Sequence, residues 1–234
     1  ETPPNRLVMV KGRRYPRIFE IPMNTERFNE GDVFILDLGT KLYYWAGVDA
    51  NQHEKVKALE VAVGIKNDER KTHCPLYYPR DAGGQVEEDF WAALGGKLDP
   101  IPAAVSDDHD FAESPFEKYS LYNVSDATGD LKTEEVIERP LKRSMLKSDM
   151  SHILHLHNKI YVWQGHDASI EEKRGSMVIA QKYKANHPDF KGTITRLPEG
   201  VEDSLFKSFF EGFIKPIVVD HGADNGMDTN THAN

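Results

Sequence analysis

The sequence contains little cysteine, no long apolar run and no excess of positive charge. Its single cysteine, Cys74, cannot form a disulfide within the chain, which favours a reducing compartment and predicts a cytoplasmic protein. No apolar stretch approaches the roughly 20 residues that a membrane-spanning helix needs. The formal net charge of −9 argues against a dedicated nucleic-acid-binding protein. Eleven Phe, nine Tyr and three Trp can build hydrophobic cores, which excludes a wholly disordered chain.

The motifs of common catalytic sites are also missing. The sequence has no glycine-rich phosphate-binding loop, no His-Glu-x-x-His and no Gly-x-Ser-x-Gly. His73 precedes Cys74, but two neighbours in sequence do not form a nucleophile–base pair. We therefore expect a protein that is not an enzyme.

What the sequence does contain is an internal repeat. Residues 42–47 (LYYWAG) match residues 160–165 (IYVWQG) at an offset of 118, and the same offset relates Glu54 to Glu172. Such a match over a long stretch indicates duplication. We predict two domains, at 1–99 and 114–216, with a linker at 100–113 and a flexible tail at 217–234. The two halves are called the first copy and the second copy below.

Each copy carries the same pattern of predicted elements. The apolar run at 33–36 is typical of a strand that is covered on both faces. The turn at 49–51 supplies a cap for a long helix from about Glu54, and Ser169 precedes the matching helix in the second copy. Shorter aromatic helices are predicted at 88–94 and 202–213. The predicted fold class is α+β, with a mixed sheet between a long and a short helix in each domain.

Acidic residues at the ends of these elements form a candidate calcium site. Asp32 precedes the buried strand and Glu54 opens the long helix. Together with the carbonyl of Gly31 they could offer the hard oxygen ligands that calcium prefers. The alternative is that both acids serve in capping and in interactions with the helix dipole.

A second candidate metal site is a histidine cluster, formed by His152, His155 and His157. Imidazole suits zinc or copper. On a strand, residues 155 and 157 share a face and residue 152 points the other way. The alternative is a strand that happens to carry histidines.

Basic residues cluster near the start of the chain with no acid between them. They are Arg6, Lys11, Arg13, Arg14 and Arg17. Such a cluster predicts a local positive field that could attract anionic lipid headgroups or an acidic protein surface. The alternative is an ordinary solvated edge.

Three segments of each copy have a distinctive sequence. In the first copy they are residues 6–14 (RLVMVKGRR), 28–39 (FNEGDVFILDLG) and 64–70 (GIKNDER), and in the second copy residues 121–129 (LYNVSDATG), 159–165 (KIYVWQG) and 197–200 (LPEG). These segments resemble the gelsolin, villin, severin and fragmin family of actin regulators, the first copy its second gelsolin-like repeat and the second copy its third. The resemblance covers nearly all of residues 6–215. It implies a piece of a longer protein with further gelsolin-like domains.

The resemblance implies calcium-regulated severing, capping or side-binding of actin filaments, with phosphoinositide control. The implied calcium ligands of the first copy are Gly31, Asp32, Glu54 and an acid of the linker, Asp107 or Asp108. In the second copy Asp149 and Glu172 stand at two of these positions, and Met150 replaces the strand-start Asp. Because a thioether is a poor ligand for a hard cation, we expect weak or lost calcium binding there.

The resemblance also assigns contact residues for actin and for lipid. The implied actin contacts are Arg13, Arg14, Lys55, Lys57, Lys66 and Arg70. The implied phosphoinositide contacts are Arg6, Lys11, Arg13 and Arg14. Val33 and Ala46 occupy the positions of a disulfide in secreted gelsolin, which supports a cytoplasmic, cytoskeletal form. The alternative function is a phosphoinositide- or metal-responsive scaffold module that does not bind actin.

Overall fold

A computed structural model describes residues 5–12, 16–71, 73–104, 119–126 and 129–213. Within these ranges the strands form two five-stranded sheets, one in each copy. The strands of the first sheet are β1 (Arg6–Lys11), β2 (Arg17–Ile21), β3 (Val33–Asp37), β4 (Leu42–Ala46) and β5 (Leu76–Tyr77). Those of the second are β6 (Ser120–Ser125), β7 (Lys132–Val136), β8 (Ser151–His155), β9 (Lys159–Gln164) and β10 (Thr193–Pro198).

The two sheets have the same topology. Their strand orders are β2-β1-β3-β4-β5 and β7-β6-β8-β9-β10. In each sheet the last pair is parallel, and the other pairs are antiparallel. The mixed α+β fold that the sequence predicts is therefore confirmed.

A long helix follows the central strands of each copy. In the first copy it is α1 (Gln52–Gly64), which continues directly as a π-helix at Ile65–Glu69, and α2 (Pro79–Ala82) and α3 (Gly84–Ala93) follow. In the second copy a 3₁₀ turn (Arg143–Met145) precedes α4 (Ile170–Asn186) and α5 (Ser204–Lys207). Asn51 and Ser169 each form a capping box with the Glu three residues later, so α1 begins two residues before the predicted start.

The last predicted helix is much shorter than the sequence suggests. We predicted it at 202–213, but α5 covers only Ser204–Lys207. The backbone N–H of Glu211 donates to the carbonyl of Leu141, and the carbonyl of Glu211 accepts from Arg143. These bonds draw the chain away from helical geometry. The aromatic side chains still fulfil the predicted role, since Phe206 and Phe210 are buried in the second copy.

Each sheet lies between two layers of helix. Along β3, Val33 and Ile35 join the hydrophobic cluster of α1, while Phe34 and Leu36 join the cluster of α3. All of β3 is buried, which confirms a strand covered on both faces. In the second copy α4 covers one face and α5 the other. None of the described helices is both long enough and apolar enough to cross a bilayer.

Candidate metal site and basic surface

Asp32 is a buried carboxylate at the start of β3. Its Oδ1 lies 3.0 Å from Nζ of Lys11, at the end of β1, and its Oδ2 accepts a 2.6 Å hydrogen bond from the side-chain amide of Asn29. Only 3% of Asp32 is exposed to solvent. Since a buried anion needs a cation or several donors, Lys11 supplies the compensating charge in this structure.

Glu54 is bound to Gly12, the residue that follows β1. Its Oε1 accepts a 2.7 Å hydrogen bond from the backbone N–H of Gly12, and its Oε2 accepts from Asn51 in the capping box. The strand end formed by Lys11 and Gly12 therefore contacts both Asp32 and Glu54. The predicted acids are brought to the same region, each already bound to protein donors.

The start of the linker runs beside this region. The N–H of Glu30 donates to the carbonyl of Pro102 at 2.9 Å. A Cβ added to Gly31 would lie 2.7 Å from the Cβ of Ala104, so the small residue permits this close approach. Asp107 and Asp108 lie outside the described residues. They follow Ala104 by three and four positions, which extended chain covers in about 10–14 Å.

The described residues alone do not complete a metal site. Among them no group of three or more His, Cys, Asp or Glu side chains is placed to hold a metal ion. The oxygen donors of Gly31, Asp32 and Glu54 suit a hard cation in chemistry. A third acidic ligand would have to come from outside the described ranges.

The second copy fits a metal less well. Glu172 repeats the arrangement of Glu54, because its two carboxylate oxygens accept from the N–H groups of Asp126 and Ser169. Asp149 is exposed to solvent, and Met150 stands where the first copy has Asp32. Glu172 here acts as a clamp between α4 and the end of β6, with no acid equivalent to Asp32 beside it.

The hypothesis of a metal site at the histidine cluster is wrong. His152 is fully buried beside Trp163, and its Nε2 accepts from the N–H of Lys147. His155 packs against Tyr183 and Phe190 near the opposite face. Residues 152 and 155 lie an odd number of positions apart on β8, so their side chains point to opposite faces and cannot bind one ion. Within the described ranges, no three His, Cys, Asp or Glu side chains, His157 included, are placed to hold a metal ion. Burial lowers the pKa of His152 to about 4, which keeps the ring neutral.

Two of the predicted lipid contacts are buried ion-pair residues. Arg6 lies 3.0 Å from Asp37 and 2.5 Å from Glu69, and Lys11 is paired with Asp32. Arg6 and Lys11 are each less than a tenth exposed. The prediction that they belong to an unopposed basic surface is therefore wrong. The opposing acids come from distant parts of the chain.

Arg6 and its partners form a buried network of charge. Burial alone would lower the pKa of Arg6, but Glu69 and Asp37 outweigh burial and raise it. For Glu69 burial acts to raise the pKa, and the charge of Arg6 reverses this and lowers it. Both shifts favour the charged forms of Arg6 and Glu69 near neutral pH.

Arg70, a predicted actin contact, belongs to the same network. Its guanidinium binds Asp37 at 2.5 Å, and its side chain is 8% exposed. Asp37 is completely buried between Arg6 and Arg70. Arg70 thus stabilises the first copy from within and is not available on the surface.

The remaining predicted actin contacts differ in accessibility. Lys55 and Lys66 are partly exposed, on α1 and the π-helix. Lys57 is 23% exposed, lies 3.9 Å from Glu60, and lines a cleft between the copies. Burial lowers its pKa. Arg13 and Arg14 lie outside the described residues.

Sequence reasoning missed the roles of three residues in this region. Asn29 fixes the carboxylate of Asp32, Lys11 neutralises it, and Glu69 joins the first copy to the second. An Asn three residues before an Asp is a local signal that could have been used. The other two act on residues far away in sequence, and no local pattern marks them.

The comparison with protein families identifies the class to which this fold belongs. The model of the gelsolin repeat matches residues 19–80 and 132–207, one stretch in each copy and together more than half of the chain. The chain therefore belongs to the gelsolin-repeat family. That its copies correspond to the second and third repeats stays a prediction.

Curated relatives support the family over most of the chain. Gelsolin of Gallus gallus is 33% identical over 213 residues, which cover 89% of this chain and 27% of the relative. "Actin depolymerising venom protein gelsolin 1" of Platymeris rhadamanthus is 32% identical, over 88% of this chain and 55% of the relative. Gelsolin of Drosophila melanogaster is 32% identical over 88% and 26%. The chain thus spans about a quarter to a half of the length of these relatives.

Solved structures give weaker matches. A chain of the Thorarchaeota 2DGel3/rabbit actin complex is 23% identical, with a TM-score of 0.37, and the match covers 88% of this chain and 98% of that chain. A chain of the Thorarchaeota ProGel/rabbit actin complex is 21% identical, with a TM-score of 0.31, over 38% of this chain and 94% of that chain.

Proposed function

We propose that this chain is a non-enzymatic, calcium-regulated actin-binding fragment that binds the sides of filaments within a longer severing or capping protein. The observation that carries the proposal is membership of the gelsolin-repeat family. It is supported by a relative whose name describes an actin-depolymerising protein and which is 32% identical over 88% of this chain. Basic side chains on α1 and the π-helix would complement the acidic surface of actin.

The actin surface we propose is centred on Lys55 and Lys66, with Arg13 and Arg14 as further contacts. Lys55 and Lys66 are partly exposed, whereas Lys57, which is also partly exposed, lines the cleft between the copies. We propose that the domains span 1–99 and 114–216, and that the protein acts on the cytoskeleton inside the cell. The nonpolar side chains of Val33 and Ala46, at the disulfide positions of the secreted form, support that location.

For calcium we propose Gly31, Asp32 and Glu54 as ligands, completed by Asp107 or Asp108. The support is chemical and spatial: two acids flank the end of β1, and Ala104 lies against Gly31. When bound, calcium would supply a positive charge that ties strand, helix and linker together. The ammonium group of Lys11 lies beside the carboxylate of Asp32, so an incoming calcium ion would compete with it for the carboxylate oxygens.

Co-sedimentation with actin filaments, in calcium or in chelator, tests the proposal. The full chain is expected to pellet with filaments, and more so in calcium. A Lys55→Glu/Lys66→Glu variant should lose most of that binding. Lys182→Glu/Lys191→Glu, with the same change of charge on exposed positions of the second copy, is the matched control. Failure to pellet, combined with binding to phosphoinositide vesicles, would support the scaffold function in its place.

A further inference from the structure

The short helix α5 of the second copy contributes to two hydrophobic cores at once. Leu205 is 3% exposed and belongs to the buried cluster of the first copy, which also contains Ile18, Ala62 and Ile65. Its neighbour Phe206 is fully buried in the cluster of the second copy. One turn of helix therefore places adjacent side chains in different domains.

The backbone around α5 also approaches the first copy closely. The N–H of Ser204 donates a 2.7 Å hydrogen bond to Oε1 of Glu69, at the end of the π-helix. A Cβ added to Gly64 would lie 3.0 Å from the hydroxyl oxygen of Ser204. The absence of a side chain at Gly64 therefore favours the close approach of α1 to α5.

Polar pairs flank this apolar contact. Lys207 lies 3.1 Å from Asp68, beside the bond between Glu69 and Ser204. Lys159, which lines a small cavity together with Leu205, lies 2.6 Å from the carboxylate of Glu20. The amide of Asn158 also donates to the carbonyl of Glu20. In each charged pair the acid belongs to the first copy and the lysine to the second.

We propose that α5 is a lock that holds the two copies together without calcium. The end of α1, the π-helix and β2 form a groove. It contacts the side chains of Leu205 and Lys207 and accepts a hydrogen bond from the backbone N–H of Ser204, the first residue of α5. Its occupant is α5 of the same chain. None of the residues in the lock is a proposed calcium ligand, so the lock is complete in the absence of the ion.

The lock also fixes what surrounds the end of α1. The π-helix that carries Asp68 and Glu69 continues directly from α1. Any movement of the second copy would therefore act on the end of the helix that carries Lys55. The proposal concerns the contact between the copies and does not depend on binding to actin.

Cleavage of the linker in the full chain tests the lock. A protease recognition sequence is placed within residues 109–115, the chain is cut, and the products are run on size-exclusion chromatography in chelator at low salt. The two pieces are expected to elute together at micromolar concentration. Separation of the wild-type pieces under these conditions would overturn the proposal.

Two variants assign the lock to named residues. Leu205→Ala should weaken association of the cut pieces about a hundredfold, because it empties a filled apolar site. Leu205→Met, of similar volume, should keep most of the association. If Leu205→Ala associates as tightly as the wild type, α5 is not the lock.

Glu69→Gln provides a second and independent variant should Leu205→Ala fail to fold. It removes a charge that binds the Ser204 N–H and also pairs with Arg6 inside the first copy, so urea unfolding of the uncut chain accompanies the measurement. In a folded variant, association should weaken about tenfold, with a smaller dependence on salt. Glu88→Gln, on the exposed surface of α3, is the matched control and should have no effect. Equal behaviour of Glu69→Gln and Glu88→Gln would contradict the proposed polar contact. The assay contains neither actin nor calcium, so its failure and failure of the proposed function are separate results.

Discussion

The ammonium group of Lys11 lies 3.0 Å from the carboxylate of Asp32, 21 residues further along the chain. This pair occupies the position where we propose that calcium binds. The same carboxylate cannot be neutralised fully by both cations, because each requires its oxygens. Calcium binding and the Lys11–Asp32 ion pair are therefore expected to be in competition.

Asp32→Asn should remove the response of the protein to calcium. The wild type is expected to gain about 2–3 kcal/mol in unfolding free energy when calcium is present at about a hundredfold over its dissociation constant. The variant should show almost the same melting temperature in calcium and in chelator. Asp149→Asn, at the poorly fitting position of the second copy, is the control and should respond as the wild type does. A full calcium response in Asp32→Asn would remove Asp32 from the ligand set.

Lys11→Met should have the opposite effect on the calcium response. Removing the ammonium leaves Asp32 buried without its cation, which we expect to cost about 3 kcal/mol of stability in chelator. Calcium should restore more stability to this variant than it adds to the wild type. Thermal unfolding with and without calcium measures the difference. An unchanged calcium increment would contradict competition between the two cations.

Arg70→Met should destabilise the protein without acting through the actin surface. The substitution removes one of two guanidinium groups from the fully buried Asp37, and we expect a loss of about 3 kcal/mol in urea unfolding. Lys66→Met, on the neighbouring π-helix, should change the unfolding free energy by about 0.5 kcal/mol or less. Normal stability of Arg70→Met with reduced filament binding would restore the surface role that the sequence suggested.

His152 should make the protein less stable as the pH falls from about 6.5 to about 4. Burial lowers its pKa from the usual 6.5 to about 4. In this window the imidazole of residue 152 binds a proton in the unfolded chain but stays neutral in the folded chain. The free energy of unfolding therefore decreases as the pH is lowered. Between pH 7 and pH 5 the expected loss is about 2 kcal/mol. Below about pH 4 this group adds no further loss.

The measurement is urea unfolding at several pH values, with His152→Gln and His166→Gln compared. The first variant should flatten the pH dependence in the window. The second replaces a histidine at the exposed surface and controls for the substitution itself. His155 contributes in the same direction. Burial lowers its pKa most, and the charges of His187 and His157 lower it further. An unaltered slope in His152→Gln would exclude it as the source.

Val33→Cys combined with Ala46→Cys should form a disulfide. The two residues lie directly opposite each other on β3 and β4, and opposite residues of an antiparallel pair have Cα atoms about 4.5–5.5 Å apart, within the range of disulfides. The disulfide would close the loop between residues 33 and 46, which should raise the unfolding free energy by up to about 3 kcal/mol. Melting with and without reductant measures the gain. The two single-substitution variants are controls. Because Cys74 is itself a free cysteine, thiols at positions 33 and 46 that persist after oxidation, in addition to Cys74, would contradict the register.

Much of the fold could be predicted from the sequence because its signals are local. The apolar run at 33–36, the caps at Asn51 and Ser169 and the repeat at an offset of 118 residues each lie within one stretch of chain. The length of α5 could not, because its end is set by backbone bonds between Glu211 and the distant 141–143 segment.

The candidate site was predicted less completely for the same physical reason. Asp32 and Glu54 were found because they stand at element ends, where acids are recognisable. The partners of Arg6 were missed. Asp37 and Glu69 lie 31 and 63 residues away, and Asp37 reaches Arg6 through the sheet while Glu69 reaches it from the π-helix. A cluster of positive charge in sequence therefore became a set of buried ion pairs in the structure.

The position of Leu205 bears on how such a chain is divided. By sequence the residue belongs to the second copy, but by packing it completes the interior of the first. Each repeat corresponds to one segment of sequence. The hydrophobic core of the first copy extends beyond its own segment, because it includes Leu205. If the chain were cut between the two repeats, the first fragment would have an apolar cavity at the site of Leu205. On the second fragment the side chain of Leu205 would be exposed to solvent.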